Sequence, residues 1–576
     1  MKVIVTMLTV VIAIMCFATD RTLAGNNDTL FIYSNNGMTL DETIMSDTTA
    51  TGVLAHKVYK LVSLDSTYVF LDAITATSNI EVIGAVGSNG RYPCILPGVN
   101  PDNTVPTQLF VLTGKGITGK FKHLYLMGTS TINTTDCADA ITATEDSVRV
   151  IVDSVIFDSW WGNSVLYSGN WDKFYITNNV FRNFTSPYTY CGEAFRNGNS
   201  SGYTDTVYMR NNTFFCGYCY AACPVTLALV NYFDFSNNNV MWFFNAPFWI
   251  FNVTNAKINN NIFYGVWAGG ENNTEYYGQW DEPLSLEVGS TIDLDTLTKR
   301  TAADFGIDTT LSNWRTLAEQ KRNIEVKNNV YYNPSKLTDF WKAWNDTATV
   351  DKIHINPWMN DRTKGMFSNK TMWPGLVESG NINVDPGFGS SILDVFDNGV
   401  GNAIGINEYF SEIRTDNPDP GYYGYQIGDV AGDNWMPVWP LAEKADMQYT
   451  NSALKTGSTT GSVIGDPNWF GIVTGVKTNS SVVPEKFSLS NAYPNPFNPT
   501  TNIQFTVAKS ENVKLVVYNT LGQKVKTLIN QSYKPGSYTA SWDGRDEFGK
   551  SIASGIYFYR FESQSFTATK KMILMK

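Results

Sequence analysis

A six-residue pattern recurs through the middle of the chain: apolar, any residue, Asn, Asn, any residue, aromatic or apolar. It reads Ile176-Thr-Asn-Asn-Val-Phe181, Met209-Arg-Asn-Asn-Thr-Phe214, Phe235-Ser-Asn-Asn-Asn-Val240, Ile258-Asn-Asn-Asn-Ile-Phe263 and Val326-Lys-Asn-Asn-Val-Tyr331, after a weaker copy, Val152-Asp-Ser-Val-Ile-Phe157. Successive copies start 24, 33, 26, 23 and 68 residues apart. A period in the twenties with variable insertions is the mark of a solenoid. Each copy follows a short strand of alternating apolar residues, such as Phe174-Tyr-Ile176 or Val207-Tyr-Met209. The Asn pair then breaks the strand, because Asn tolerates the left-handed backbone that a sharp turn demands. Strand, Asn turn and strand in every coil predict an all-β fold, a right-handed parallel β-helix. Coils stacked about 4.8 Å apart let equivalent Asn side chains form a hydrogen-bonded ladder and let the Phe rings stack inside. A leucine-rich repeat would need Leu at several fixed positions, and a propeller would need blades of about 40 residues.

The 576 residues suit a solenoid better than one compact domain, and 43% hydrophobic content supplies a large core. Only 16% of residues are charged, so Asn, Thr, Ser and Gly must provide the polar surface. A net charge of −11 argues against nucleic acid as a partner. Only three histidines, His56, His123 and His354, are present and they are scattered, which speaks against His-based triads and multi-His metal sites.

The N-terminus has a short basic start, an apolar run and small residues near Ala24, as a secretory signal peptide over residues 1–24 would. The run is shorter than the ~20 residues of a membrane span, the competing reading. No other stretch is a transmembrane candidate. Six cysteines then remain: Cys94, Cys137, Cys191, Cys216, Cys219 and Cys223. An even number in an exported chain reads as disulfides. The alternative, a metal held by Cys216, Cys219 and Cys223, lacks a second CxxC pair or a nearby His.

Earlier strands are read at Tyr68-Val-Phe70, Ile80-Glu-Val-Ile83 and Leu109-Phe-Val-Leu112. The stretch 80–97 resembles the early coils of pectate-lyase-like β-helix proteins, and Gly380-Asn-Ile-Asn-Val-Asp-Pro-Gly-Phe388 resembles a segment near the ends of such helices. The 68-residue spacing holds an insertion at about 268–322, with a helix expected over 309–321. Another helix is expected after Pro334, where Leu337, Phe340, Trp341 and Trp344 share a face. These helices are read as covering the solenoid, with the walling of a groove as the alternative.

A Thr-, Ser-, Val- and Lys-rich linker at 474–484 separates the 25–473 solenoid from a last domain at 485–576. That domain has short alternating strands between Gly, Asn and Pro turns, the pattern of a small β-sandwich. Its Tyr493-Pro-Asn-Pro-Phe-Asn-Pro499 start, Leu521-Gly522 turn, Gly555-Ile-Tyr557 strand and Lys570-Lys571 close resemble the type IX C-terminal sorting domain of Bacteroidetes. The resemblance implies passage through the type IX machinery of a Gram-negative bacterium, removal of the tail, and release or outer-membrane surface attachment. A carbohydrate-binding accessory module is the competing reading.

Stacking the repeats sets residues in columns. Asp153, Thr177, Arg210, Ser236, Asn259 and Lys327 precede the turns; Asp158, Arg182, Phe215, Met241, Tyr264 and Tyr332 follow the closing aromatics. Asp158 and Arg182 thus fall on adjacent coils, as an ion pair or, with Asp153, as catalytic candidates. The pectate-lyase resemblance implies acidic residues with calcium and an Arg or Lys base for a lyase; no other cofactor or metal is expected. A glycoside hydrolase would instead need two facing carboxylates. Aromatic residues cluster in the middle, and Trp160, Trp161, Trp171, Trp267, Tyr276 and Trp280 are candidates for stacking on sugars. The functional expectation is a secreted or surface protein that interacts with an extracellular polysaccharide, as a glycan-binding or adhesion platform or as a polysaccharide lyase or hydrolase.

Overall fold

A computed structural model describes residues 28–471 and 487–575, apart from short internal stretches and the longer 270–288 and 415–445. The signal peptide, Cys191, Tyr276 and Trp280 lie outside the described residues. No described helix is long and apolar enough to cross a membrane. The chain forms two compact units, Met1–Gly475 and Val476–Lys576.

The first unit is a parallel β-helix. An eleven-stranded sheet runs from Thr29–Ile32 to Leu376–Ser379, a ten-stranded sheet from Thr67–Phe70 to Ile382–Asn383, and a five-stranded sheet from Ile74–Ala76 to Glu193–Asn197. All pairing within them is parallel. A complete coil gives one strand to each sheet, as Arg149–Asp153, Ile156–Asp158 and Asn163–Tyr167 do.

The Asn pair divides its labour. The first member takes the left-handed conformation, with φ of 60° at Asn178, 56° at Asn211, 58° at Asn237, 57° at Asn260 and 51° at Asn328. His123, Ser154 and Gly380 hold the same corner in other coils. The second member points inward and builds the ladder. Asn212 accepts from the Asn179 backbone N–H and Nδ2, both at 3.0 Å. Asn238 does the same for Asn212, Asn261 for Asn238, Asn329 for Asn261 and Asn381 for Asn329. The other Nδ2 hydrogen goes to a carbonyl of the preceding coil, such as Met209 from Asn238 at 3.1 Å. Each buried amide is thereby satisfied, which a water-free interior requires. Beside the ladder, Phe157, Phe181 and Phe214 stack at 4.7 and 4.8 Å with interplanar angles of 1° and 7°.

The insertion leaves the ladder unbroken between Asn261 and Asn329. Its short helices Lys299–Asp304 and Trp314–Gln320 pack on each other around Leu297, Ala302, Ile307 and Ala318. Glu319 and Arg322, both buried, pair at 3.2 Å and anchor this segment to the coils, Arg322 Nε donating to the Val253 carbonyl. The expected helix after Pro334 is Ser335–Thr347. With Ser390–Asp394, Ile406–Arg414 and chain from 447 to 470 it covers the outer face of the ten-stranded sheet, burying Met241, Trp242, Tyr264 and Trp341. Covering is therefore the role of the helix after Pro334, while the insertion helix Trp314–Gln320 packs in a small cluster of its own.

A strap closes the unit. Residues 457–468 run back along the Asn corner. Gly457 accepts from Asn328 Nδ2, Thr459 N–H donates to Asn260 Oδ1 at 2.8 Å, and Asn468 Nδ2 donates to the Asn211 carbonyl at 3.0 Å. Asn328 and Asn260 thus present their side chains to the strap, and Asn211 its backbone carbonyl.

The second unit is a β-sandwich of antiparallel strands. Ser488–Leu489, Thr501–Val507 and Gly536–Trp542 form one sheet; Lys524–Tyr533, Glu511–Tyr518, Gly555–Glu562 and Thr567–Leu574 form the other. Phe505, Leu515, Trp542, Tyr559 and Phe561 fill the space between.

Candidate functional site

The outward side chains of the eleven-stranded sheet carry the densest chemistry. Strand pairing sets Tyr175 beside Tyr208 and Tyr208 beside Asp234, and in the next column Thr177, Arg210 and Ser236. The Tyr175 and Tyr208 ring centroids are 6.2 Å apart. The Arg149 guanidinium lies 5.6 Å from the Tyr175 ring and that of Arg210 lies 4.6 Å from the Tyr208 ring, within cation–π range. Arg210 grips Asp234 with two nitrogens, Nε at 3.0 Å from Oδ1 and Nη2 on Oδ2. Tyr232 donates to the same carboxylate at 3.1 Å and Ser236 at 2.7 Å.

This network fixes protonation states. Burial works against the Arg210 charge, but Asp234 outweighs it and holds the pKa above the ordinary value. Burial raises the phenols of Tyr208 and Tyr232, and Asp234 raises them further. The face therefore offers neutral rings and a permanently charged, pre-oriented guanidinium. Ion pairs Lys122–Asp153 at 2.9 Å and Lys173–Asp205 at 3.1 Å flank it.

At the start of the same two strands, Trp171 packs on Tyr203 with centroids 3.8 Å apart. Trp171 is 53% exposed and has a φ of 64°, a backbone state that is costly for a bulky residue.

The columns read from the repeats are those of the structure, Asp153 beside Thr177 and Asp158 beside Arg182. Arg182 Nε meets Asp158 Oδ2 at 2.7 Å. Tyr125 donates to that oxygen, Arg182 Nη2 donates to Tyr125 at 2.6 Å, and Ser159 and Asn183 bind Oδ1 at 2.9 Å. All five residues are buried, so the pair as placed is out of reach of a polymer. Asp153 is half-buried on the open face. Burial opposes its charge, but Asn178 and Lys122 hold its pKa below the ordinary carboxylate value.

Of the aromatic candidates, Trp160 is buried, with Nε1 on the Leu126 carbonyl at 3.0 Å, and Trp267 is buried as well. Trp161 is half-buried. Trp171 alone of these four presents an exposed ring. Tyr175 and Tyr208 lie outward between inward Phe, Ile, Val and Met neighbours, as strand alternation dictates.

Cys94 is a buried thiol, its pKa pushed up by desolvation, which removes it from the expected disulfides. Cys216, Cys219 and Cys223 are buried in the apolar cover of the ten-stranded sheet. Among the described residues no group of three or more His, Cys, Asp or Glu side chains is arranged to hold a metal ion.

Together these features define the class of the protein: a parallel β-helix with an open polar and aromatic face, followed by a small sandwich domain. Residues 491–575 match the family model for the secretion system C-terminal sorting domain, so the chain carries a type IX sorting domain and is secreted or held at the cell surface. The domain implies interaction with the secretion machinery. Two solved structures from Porphyromonas gingivalis show local similarity. Dimeric latent PorU is 20% identical over 16% of this chain and 9% of its own, with a TM-score of 0.14. PorZ, described as an essential surface component of the type IX secretion system, is 16% identical over 21% of this chain and 14% of its own, with a TM-score of 0.13. This chain thus covers less than a sixth of either protein. No curated protein matches the chain.

Proposed function

We propose that the β-helix binds an extracellular polysaccharide along the open face of its long sheet, at or beyond the outer-membrane surface. The observation that carries this reading is the pair of aromatic contacts on two successive coils, Tyr175 with Tyr208 and Trp171 with Tyr203. Coils advance by about 4.8 Å, a step close to one sugar residue, so rings on neighbouring coils meet neighbouring sugars. Flat ring faces supply apolar contact, and Arg210, oriented by the buried Asp234 carboxylate, supplies donors for hydroxyls. Arg149, exposed beside Tyr175, adds a charge suited to a uronate carboxylate.

An enzymatic role, lyase or hydrolase, would use the same face. Arg210 bound to Asp234 is a charge holder rather than a base, because an arginine must lose its proton to abstract another. Affinity electrophoresis of the full chain through gels containing neutral or uronate polymers tests binding. Absorbance of unsaturated products, with and without calcium, tests the lyase reading. Retardation without product supports the binding platform; product formation abolished by substitutions on this face replaces it with a lyase.

A further inference from the structure

We propose that the last coils hold a second site, a pocket for a single uncharged sugar residue, built where the chain around the insertion meets the ten-stranded sheet. A cavity of about 330 Å³ lies between strand Val330–Tyr332, helix Ser335–Thr347 and the crossing chain at 291 and 356–358. That is the small end of the ~300–1,000 Å³ typical of ligand sites. It lies on a different sheet from the open face and stands independently of it.

Three observations give the ligand its chemistry. Trp358 stacks on Tyr331 at 4.7 Å and 7°, setting two aligned aromatic planes in the wall. The remaining lining includes Asn333, Asn356, Asn383 and Thr338 and, among the described residues, no charged side chain, so an anionic sugar would enter without a counter-charge. Finally, two wall residues keep unspent hydrogen-bonding atoms. Asn356 is 5% exposed; its Nδ2 donates to the Gly289 carbonyl at 2.9 Å, and its buried Oδ1 meets no partner among the described residues. The indole Nε1 of Trp358 is likewise buried without a partner. Such groups are costly to leave unsatisfied. Beside the two rings, Asn333, Asn383 and Thr338 set amide and hydroxyl groups that fit sugar hydroxyls, each of which donates and accepts.

The test is titration of the full-length protein with glucose, galactose, mannose, xylose, N-acetylglucosamine and glucuronate, followed by tryptophan fluorescence and calorimetry. At least one neutral sugar is expected to bind with one-to-one stoichiometry, and glucuronate about tenfold more weakly or not at all. Asn356→Leu and Asn383→Ala should each weaken binding by about tenfold, the loss of one hydrogen bond of ~1.4 kcal/mol. Asn383 is exposed, so that variant separates lost binding from lost folding. Tyr208→Ala should leave monosaccharide binding intact while weakening polymer binding. No response to any neutral sugar, equal binding of glucuronate, or unchanged affinity in both asparagine variants would overturn the proposal.

Discussion

Asn261 accepts the backbone N–H of Asn238 on its side-chain oxygen at 2.9 Å and the Asn238 amide nitrogen at 3.2 Å, joining two coils 23 residues apart in the chain. Asn237, one residue earlier, has a φ of 58° and makes the turn. Adjacent asparagines therefore do different work and should respond differently to mutation. Asn238→Ala strands the buried amide groups of Asn212 and the Met209 carbonyl, and is expected to cost at least about 3 kcal/mol in denaturant unfolding. Asn237→Gly keeps the left-handed turn and should change stability by no more than about 1 kcal/mol.

Arg182→Met leaves Asp158 buried without its main partner. The expected loss is about 3–5 kcal/mol. The double change Asp158→Leu with Arg182→Met should recover most of that loss, since a well-packed apolar pair removes the uncompensated charge. Full recovery with unchanged polymer binding would mark the pair as structural.

Three buried carboxyls set a pH dependence. Asp172, Glu193 and Asp466 are each pushed up to about 7, mainly by desolvation. In the unfolded chain they ionise near pH 4. Their contribution to stability is complete below that value and is lost as pH rises through about 7. Urea midpoints should therefore fall between pH 5 and pH 8. Asp172→Asn, which keeps the acceptor used by the Val148 N–H, should flatten that fall.

Removal of residues 476–576 should abolish export across the outer membrane and leave the solenoid in the periplasm, as cell fractionation would show. The solenoid's parallel sheets pair among themselves, and it has core clusters of its own.

The repeat made the β-helix readable because the Asn pair is dictated twice, once by backbone geometry and once by the ladder. The same logic set Asp158 beside Arg182. It did not reveal that the pair is buried, because the register names neighbours within a sheet, while burial depends on what packs over it. Tyr175 and Tyr208 are legible as outward residues from strand alternation, whereas Trp content alone does not separate the exposed Trp171 from Trp160 and Trp267, which are core. The pocket under Trp358 had no local signal. Its wall is assembled from residues 291, 331, 356 and 383, brought together only when the chain before and after Val330–Tyr332 folds back on the coils. The partners of the strap, Asn260 and Asn211, lie some 200 residues or more away in the chain, so no local pattern announces it.

The most direct test of the open face is calorimetric titration of the full chain with the polymer that most retards it in gels. Wild type should bind with the affinity that gel retardation implies. Tyr175→Ala with Tyr208→Ala should lower that affinity by about tenfold or more, given ~1 kcal/mol for each lost ring contact. Equal affinity in wild type and the double variant, with both folded, would contradict the assignment of this face as the polysaccharide site.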